Sequence, residues 1–256
     1  YSIVEMVLDD SQTYEVENSQ VGIFAIQVAL INTFRDLGVA PGAVIGHSMG
    51  EVAAAVVSGA LSVADGLKVI ATRSKLMSRL SGQGAMALIE LDPASATELI
   101  AEYPDVTLAV YASPRQTVIA GPPDQVDAVI AVVSAKDRLA RRVEVDVASH
   151  HPTIDPILPD LREALQDLRP ASPNIPMVIT TREHDGPEPV FDADYWVDNL
   201  RNPVRFRQAV EAAGAEIGTF IEVSPHPLLT FGISDTLGTT HHHAVPTLLR
   251  EADGRA

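Results

Sequence analysis

Ser48 lies at the centre of a Gly-x-Ser-x-Gly pentapeptide, residues 46–50. Its type and spacing make it the strongest candidate for a catalytic nucleophile. An apolar pair precedes the pentapeptide and an alanine-rich helical stretch follows it, which is the strand–turn–helix setting of a nucleophile elbow. A side chain at either glycine, 46 or 50, is expected to clash in so tight a turn. Ser48 is therefore predicted to be an acylated nucleophile, with the backbone N–H of Met49 as an oxyanion donor at a helix N-terminus.

A serine hydroxyl needs a base that takes its proton during attack. The chain offers eight histidines for this role: His47, His150, His151, His184, His226 and the run 241–243. The side chain of His47 should project away from Ser48 on a strand-to-turn segment, so we assign it a structural role. The choice of base therefore depends on the rest of the sequence.

Composition excludes several classes of protein. The 256 residues are 46% hydrophobic and 20% charged, which is ordinary for a soluble globular protein. No apolar run approaches the ~20 residues of a membrane span, and no signal peptide is expected. Because there is no cysteine, disulfides and thiolate zinc sites are excluded, which fits a reducing cytoplasm. The net charge of −16 argues against nucleic-acid binding, and an anionic substrate would need a local cation, for which we select Arg73.

The elements that must position these residues fall into two groups. Residues 84–147 show the order strand, helix, two strands, helix, strand, which is typical of a ferredoxin-like unit. We therefore predict an α/β fold in which residues 1–83 and 148–237 form an α/β-hydrolase-like large subdomain with a parallel sheet. Residues 84–147 form an inserted ferredoxin-like small subdomain, and residues 238–256 a C-terminal linker. The last strand of the insertion is expected at 141–147 and its second helix at 124–139.

Several motifs occur together and in order along nearly the whole chain. They are Gly-His-Ser-Met-Gly-Glu at 46–51, Arg73, Val-Ala-Ser-His at 147–150, Tyr-Trp at 195–196 through Asn-Leu-Arg-Asn-Pro-Val-Arg-Phe at 199–206, and Glu-Val-Ser-Pro-His-Pro-Leu at 222–228. This set resembles the acyltransferase domain of modular type I polyketide synthases, kin to malonyl-CoA:acyl-carrier-protein transacylases. The sequence His-His-Pro at 150–152 and the late histidine run are most similar to those of actinobacterial, mycobacterial lipid-forming synthases.

The resemblance implies a reaction and its residues. Ser48 would take a dicarboxylic acyl group from CoA and pass it to the phosphopantetheine thiol of an acyl carrier protein. His150 would act as general base and then acid, and Asn199 would orient it. Arg73 would pair with the free carboxylate of the extender unit, since a guanidinium binds a carboxylate bidentately. Gln20 matches a glutamine near the nucleophile.

The extender unit is predicted from residues 147–149. In the family, a bulky aromatic residue before the histidine accompanies malonyl, and serine accompanies an α-methyl branch. Ser149 leaves space, which makes methylmalonyl the first choice and malonyl the alternative. Val147 replaces the tyrosine usual in the methylmalonyl class. A methyl-sized difference is worth only about 1–3 kcal/mol in any pocket.

The resemblance also implies partners. Acyl-CoA is a substrate, so no cofactor or metal is expected, and the phosphopantetheine is carried by the partner. Besides the carrier protein, the neighbours would be a ketosynthase and other domains of the same synthase. Relatives begin with a Gly-Gln-Gly-Ser-Gln segment whose glutamine N–H completes the oxyanion hole. A polypeptide of the present residues is expected to lack that donor, at a cost of about 10²–10³ in rate.

Two other functions stay open at this point. An α/β-hydrolase esterase or lipase would use Ser48 with His226 as base and an acid such as Asp198 between them. A non-catalytic module that docks the carrier protein is the third hypothesis. The run at 241–243 could bind a metal, although an exposed linker is the simpler interpretation. His184 is assigned no role.

Overall fold

A computed structural model of the chain describes residues 2–9, 15–183 and 187–249, so His184 lies outside the described residues. Before the insertion the elements are α1 (Ile3–Leu8), α2 (Val16–Asp36), β1 (Val44–Ile45), α3 (Gly50–Val57) and α4 (Val63–Ser78). The insertion contains β2 (Ala85–Ile89), α5 (Pro93–Ile100), β3 (Thr107–Tyr111), β4 (Thr117–Gly121), α6 (Pro123–Ser134) and β5 (Ala140–Arg142). A 3-10 helix (Pro152–Ile157) follows, then α7 (Leu158–Leu165), β6 (Met177–Val178), α8 (Ala193–Arg201), α9 (Phe206–Gly214), β7 (Thr219–Glu222), α10 (Thr230–Leu237) and β8 (His243–Pro246).

The strands pair as an α/β fold with an inserted unit requires. Strands β3, β4, β2 and β5 form one antiparallel sheet in that spatial order. In the large subdomain β1 pairs parallel to β6, with Val44 opposite Met177. A second parallel pair joins β7 to β8. The predicted parallel sheet is therefore present as two short ladders, and β1 leads directly into the Ser48 turn.

The predicted boundaries need correction at the end of the chain. Residues 238–256 were expected to be a linker, but residues 243–246 form β8 on β7, with Thr219 opposite His243. Pairing between distant segments depends on tertiary packing, which a short run such as His-Ala-Val-Pro does not reveal. Helices α1 and α10 were not predicted either.

Two elements of the insertion are shorter than the pattern suggested. The strand expected at 141–147 ends at Arg142, and the helix expected at 124–139 ends at Ser134. Asp137 has a φ of 54°, a left-handed conformation that cannot continue a helix. Val147, assigned to the small subdomain, packs instead in the core of the large one.

Three apolar cores hold the molecule together. One lies among the large-subdomain helices and includes Val52, Ile70 and Trp196. A second lies between the small sheet and helices α5 and α6. The third spans the junction, where Met86 and Val110 of the sheet pack with residues of α9 and α10. The two subdomains therefore share buried surface beside the segment that carries His150.

No helix within the described residues is long and apolar enough to span a membrane. Over the same ranges, no three His, Cys, Asp or Glu side chains converge as a metal site would require. The rings of His241 and His243 pack edge to face at 5.0 Å between centroids.

Candidate active site

The turn after β1 has the strained geometry of a nucleophile elbow. Ser48 adopts a φ of 53°, a left-handed conformation that costs a non-glycine residue about 1–2 kcal/mol. A Cβ atom on Gly46 would lie 2.2 Å from Cα of Glu51, so this position needs glycine. A Cβ on Gly50, the first residue of α3, would meet nothing within 4 Å, so the expectation of a clash there was wrong.

Met49 is the N-cap of α3. Among the described residues its backbone N–H donates to no acceptor, whereas the next N–H groups bond back to the carbonyls of residues 47–49. An unpaired N–H at a helix N-terminus, next to Ser48 in sequence, is suited to receive negative charge. The geometry is compatible with the predicted oxyanion donor.

The Ser48 hydroxyl meets the imidazole of His150. The distance from Oγ to Nε2 is 2.7 Å, and Nδ1 of the same ring lies 2.8 Å from the carbonyl oxygen of Asn202. Because a carbonyl only accepts, Nδ1 carries the proton and Nε2 is the acceptor. Ser48 therefore donates to an unprotonated nitrogen, as a hydroxyl must before general-base attack.

The group that orients His150 differs from the predicted one. The carbonyl of Asn199 was expected in this role, but the ring bonds to the backbone carbonyl of Asn202, three residues later. Helix α8 ends between the two, and the chain beyond it turns toward the imidazole. His150 itself has a φ of 60° and donates its backbone N–H to the carbonyl oxygen of Leu200 at 3.0 Å.

Arg73 projects from α4 to the same hydroxyl. Its Nη2 donates to Ser48 Oγ at 3.0 Å and its Nη1 donates to Oδ1 of Asn199 at 2.8 Å. Only 3% of Arg73 is exposed, and Nε has no hydrogen-bond partner among the described residues. Burial lowers the pKa of Arg73 to about 10, partly offset by the charge of Glu51, so the guanidinium stays protonated at neutral pH.

The two histidines of the site are held neutral. Burial, followed by the charge of Arg73, lowers the pKa of His150 to about 3. Burial also lowers the pKa of His47 to about 4. The ring of His47 packs against that of Phe206 with 5.3 Å between centroids, which agrees with its expected structural role. A neutral His150 is the form that can accept a proton.

A buried carboxylate lies beneath the elbow. Glu51 is fully buried, and its oxygens accept hydrogen bonds from the backbone and hydroxyl of Thr180, from Thr181, Tyr195 and Asn199. The sequence contained a signal for it, since it is a single acidic residue in an alanine- and valine-rich helix. Its function as an acceptor was not predicted, and neither was the carbonyl of Asn202.

The remaining predicted substrate residues are placed as follows. Gln20 donates through Nε2 to Met77 Sδ at 3.6 Å, and its buried Oε1 has no partner among the described residues. Val147 is buried in the large core. The hydroxyl of Ser149 lies 3.3 Å from Sδ of Met86. None of these three described side chains makes a hydrogen bond with Ser48, His150 or Arg73.

The hydrolase alternative lacks its geometry. His226 is exposed, Asp198 is exposed on α8, and the partner of Ser48 is His150. The serine, base and cation that the sequence selected therefore come together without the two residues that a lipase-like arrangement would need.

Comparison with known proteins gives the family. The model of the acyl transferase domain family matches residues 1–255. The chain belongs to this family. It is an acyltransferase, as the sequence predicted, and its solved structural neighbours confirm the predicted α/β fold.

The domain is similar to parts of large synthases. It is 60% identical over 254 residues, 99% of the chain, to a phenolphthiocerol/phthiocerol polyketide synthase polypeptide of Mycobacterium tuberculosis, and spans 14% of that protein's length. The acyltransferase domain of the polyketide synthase PpsC of the same species superposes with a TM-score of 0.95 at 49% identity, covering 98% of this chain and 79% of that one. The malonyl CoA-acyl carrier protein transacylase of Coxiella burnetii gives 0.88 at 25% identity, covering 96% and 81%. The resemblance noted in the sequence is thereby confirmed.

Proposed function

We propose that this domain transfers a dicarboxylic extender unit from CoA to the phosphopantetheine thiol of an acyl carrier protein, by way of a Ser48 acyl-enzyme. One observation carries the proposal: Ser48 Oγ lies 2.7 Å from Nε2 of His150 and 3.0 Å from a guanidinium nitrogen of Arg73. A nucleophile, its base and a buried cation thus surround one oxygen atom.

In the first half-reaction, Nε2 of His150 takes the Ser48 proton as Oγ bonds to the thioester carbon. The N–H of Met49 supports the negative charge on the carbonyl oxygen. The carbon–sulfur bond then breaks, and His150 returns the proton to the departing CoA sulfur. In the second half-reaction the phosphopantetheine thiol gives its proton to His150 and attacks the ester, and Oγ of Ser48 recovers that proton. The Nδ1–H of His150, bonded to Asn202, keeps the ring in the required tautomer throughout.

Arg73 would bind the free carboxylate of the extender. It is buried, charged and only partly hydrogen-bonded, so an acyl group without a carboxylate would leave its unpaired donor desolvated. Contact with both the nucleophile and the substrate carboxylate would also fix the distance between reacting atoms.

Methylmalonyl is the proposed extender unit. The residue before His150 is Ser149, and its small side chain points to Met86 of the small sheet. The resemblance associates a serine at this position with an α-methyl branch. Malonyl remains the alternative, because one methyl group changes binding by only about 1–3 kcal/mol. An acyl carrier protein and the neighbouring synthase domains are the proposed partners, because the names of the relatives include an acyl carrier protein and a polyketide synthase.

Mass spectrometry of the intact protein, incubated separately with methylmalonyl-, malonyl- and acetyl-CoA, tests the proposal. We expect an acyl adduct with methylmalonyl-CoA, a smaller amount with malonyl-CoA and little with acetyl-CoA. Equal loading of acetyl would contradict the role of Arg73. Absence of any adduct would favour a carrier-docking module.

A further inference from the structure

Asn199 is the side chain that links the buried carboxylate to the cation. It is 3% exposed, and its amide has one orientation that satisfies all neighbours. Oδ1 accepts from Nη1 of Arg73 at 2.8 Å. Nδ2 donates to Oε2 of Glu51 at 2.8 Å and to the Ser48 carbonyl oxygen at 3.2 Å. The reverse orientation would direct an NH2 group at a guanidinium and an oxygen at a carboxylate, both of which are unfavourable.

Glu51 and Arg73 do not bond to each other directly. Both oxygens of Glu51 are occupied by the Thr180, Thr181, Tyr195 and Asn199 donors. The guanidinium therefore receives a neutral amide oxygen instead of a carboxylate. A direct ion pair would neutralise the cation, whereas an amide spacer fixes its position and leaves its charge available to a ligand.

The contacts of Arg73 hold the guanidinium in place and leave most of its donors for a ligand. A guanidinium offers five N–H donors in a fixed plane. Asn199 takes one on Nη1, Ser48 takes one on Nη2, and Nε has no partner among the described residues. Three of the five N–H groups therefore remain without an acceptor among the described residues. Two of these that share an edge of the guanidinium can bind a carboxylate by two parallel hydrogen bonds.

We propose that Asn199, held by Glu51, is the positioning residue for Arg73 and thereby a determinant of the preference for dicarboxylic over monocarboxylic acyl groups. This inference rests on the proposed function, because it assigns the carboxylate of the extender to Arg73. It replaces the role that the sequence gave Asn199, which was to orient His150.

The experiment compares Asn199→Ala, Arg73→Ala and the double variant with the unaltered domain. Acyl-enzyme formation is measured with methylmalonyl-CoA and with acetyl-CoA, as kcat and KM separately. Reaction of Ser48 with a fluorophosphonate, which carries no carboxylate, gives a readout of the nucleophile alone. Asn174→Ala is the matched control, because Asn174 is exposed and lies outside the site.

We expect Asn199→Ala to lower kcat/KM for methylmalonyl-CoA about 10- to 100-fold, mainly through KM, because the fork of donors is no longer held in place. Acetyl-CoA loading and fluorophosphonate labelling should change about twofold at most. The double variant should load methylmalonyl no more slowly than Arg73→Ala, because Asn199 acts through that arginine.

Asn199→Asp separates the acceptor from the donor of the amide. It keeps an oxygen for Arg73 but sets a second carboxylate beside Glu51 and pairs the guanidinium internally. We expect a loss of methylmalonyl preference at least as large as for alanine. Retention of the preference in this variant would overturn the part assigned to Glu51.

Two further outcomes would overturn the inference as a whole: unchanged methylmalonyl loading in Asn199→Ala, or an equal fall in fluorophosphonate labelling. The second would show that Asn199 acts through its bond to the Ser48 carbonyl. Failure of the proposed function is distinguishable, since the unaltered domain would then load no dicarboxylic acyl group at all.

Discussion

Two regions of this domain each contain a serine, a histidine and a buried glutamate and use them differently. In the elbow, the Ser48 hydroxyl bonds to the ring of His150 above the buried Glu51. In the loop after β7, Glu222 is also buried, but its oxygens accept the N–H groups of residues 228–230. The Ser224 hydroxyl there donates to the carbonyl oxygen of His226 at 2.7 Å, and His226 is exposed.

The two regions differ in the groups to which the carboxylate and the hydroxyl are bonded. In the second segment the carboxylate and hydroxyl serve the backbone, so they fix a proline-rich loop and the start of α10. In the first, donors other than the nucleophile satisfy the carboxylate, and a carbonyl fixes the tautomer of His150. The hydroxyl is then left to donate its proton to an imidazole nitrogen. Residue types alone did not distinguish the segments; the partners of each polar atom do.

The largest expected effect is on the rate of adduct formation when the two histidines, His150 and His226, are replaced in turn. His150→Ala should slow methylmalonyl adduct formation about 10²–10⁴-fold, because a hydroxyl without its base is a poor nucleophile. His226→Ala should stay within about twofold, since its ring takes no part in the proposed transfer. Time courses of intact mass measure both. The opposite ranking would restore the hydrolase hypothesis.

The next effect compares the two buried glutamates. Glu51→Gln and Glu222→Gln should each lower the free energy of unfolding by about 1–3 kcal/mol, because at least two donors lose the carboxylate oxygen that accepts their hydrogen bonds. Only Glu51→Gln should also reduce the preference for methylmalonyl over acetyl, since it loosens Asn199. Urea denaturation and acyl loading measure the two properties. A change of preference in Glu222→Gln would show that the segments are not independent.

The free energy of unfolding should depend on pH because of the buried His150. His150, with a pKa of about 3, stays neutral in the folded domain while the unfolded chain takes up a proton below its ordinary pKa of 6.5. Unfolding therefore becomes easier as the pH falls from 6.5 toward 3, by about 1.4 kcal/mol per pH unit for this group.

In His150→Gln that contribution is absent, so its unfolding free energy should depend less steeply on pH across the same window. Urea titrations at several pH values between about 4 and 7 give the two slopes. Equal slopes would mean that burial does not depress the pKa of this histidine.

The smallest expected effect lies within the elbow. Gly50→Ala should raise the free energy of unfolding by about 0.5–1 kcal/mol, because alanine favours a helix and its Cβ would meet nothing within 4 Å. Gly46→Ala is the contrasting variant and should not fold, given the 2.2 Å approach to Glu51. Thermal denaturation decides, and destabilisation by Gly50→Ala would contradict the open space seen there.

Much of the site could be predicted because its side chains belong to motifs. Ser48 follows from the elbow pattern, and His150 and Arg73 follow from a family resemblance in which side-chain identity matters. The order of elements in the insertion also follows from local patterns, because its short apolar runs predict strands and the longer amphipathic segments between them predict helices.

The rest depends on groups or contacts that the sequence does not mark. The acceptor for His150 is a backbone carbonyl, which every residue possesses, so the sequence did not distinguish the carbonyl of Asn202 from that of Asn199. Strand β8 exists through parallel pairing with β7, and such pairing is decided by tertiary packing. Gly46 and Gly50 are the two glycines of the same motif, yet only Gly46 lies against the backbone of another residue, Glu51.

Peptide mapping after a short incubation with methylmalonyl-CoA tests whether Ser48 is the acylated nucleophile. The acyl group is expected on Ser48 alone, and neither Ser48→Ala nor His150→Ala should form the adduct at a comparable rate. An acyl group on Ser224 or on another side chain, or undiminished labelling of the His150→Ala protein, would contradict the roles of Ser48 as nucleophile and His150 as base.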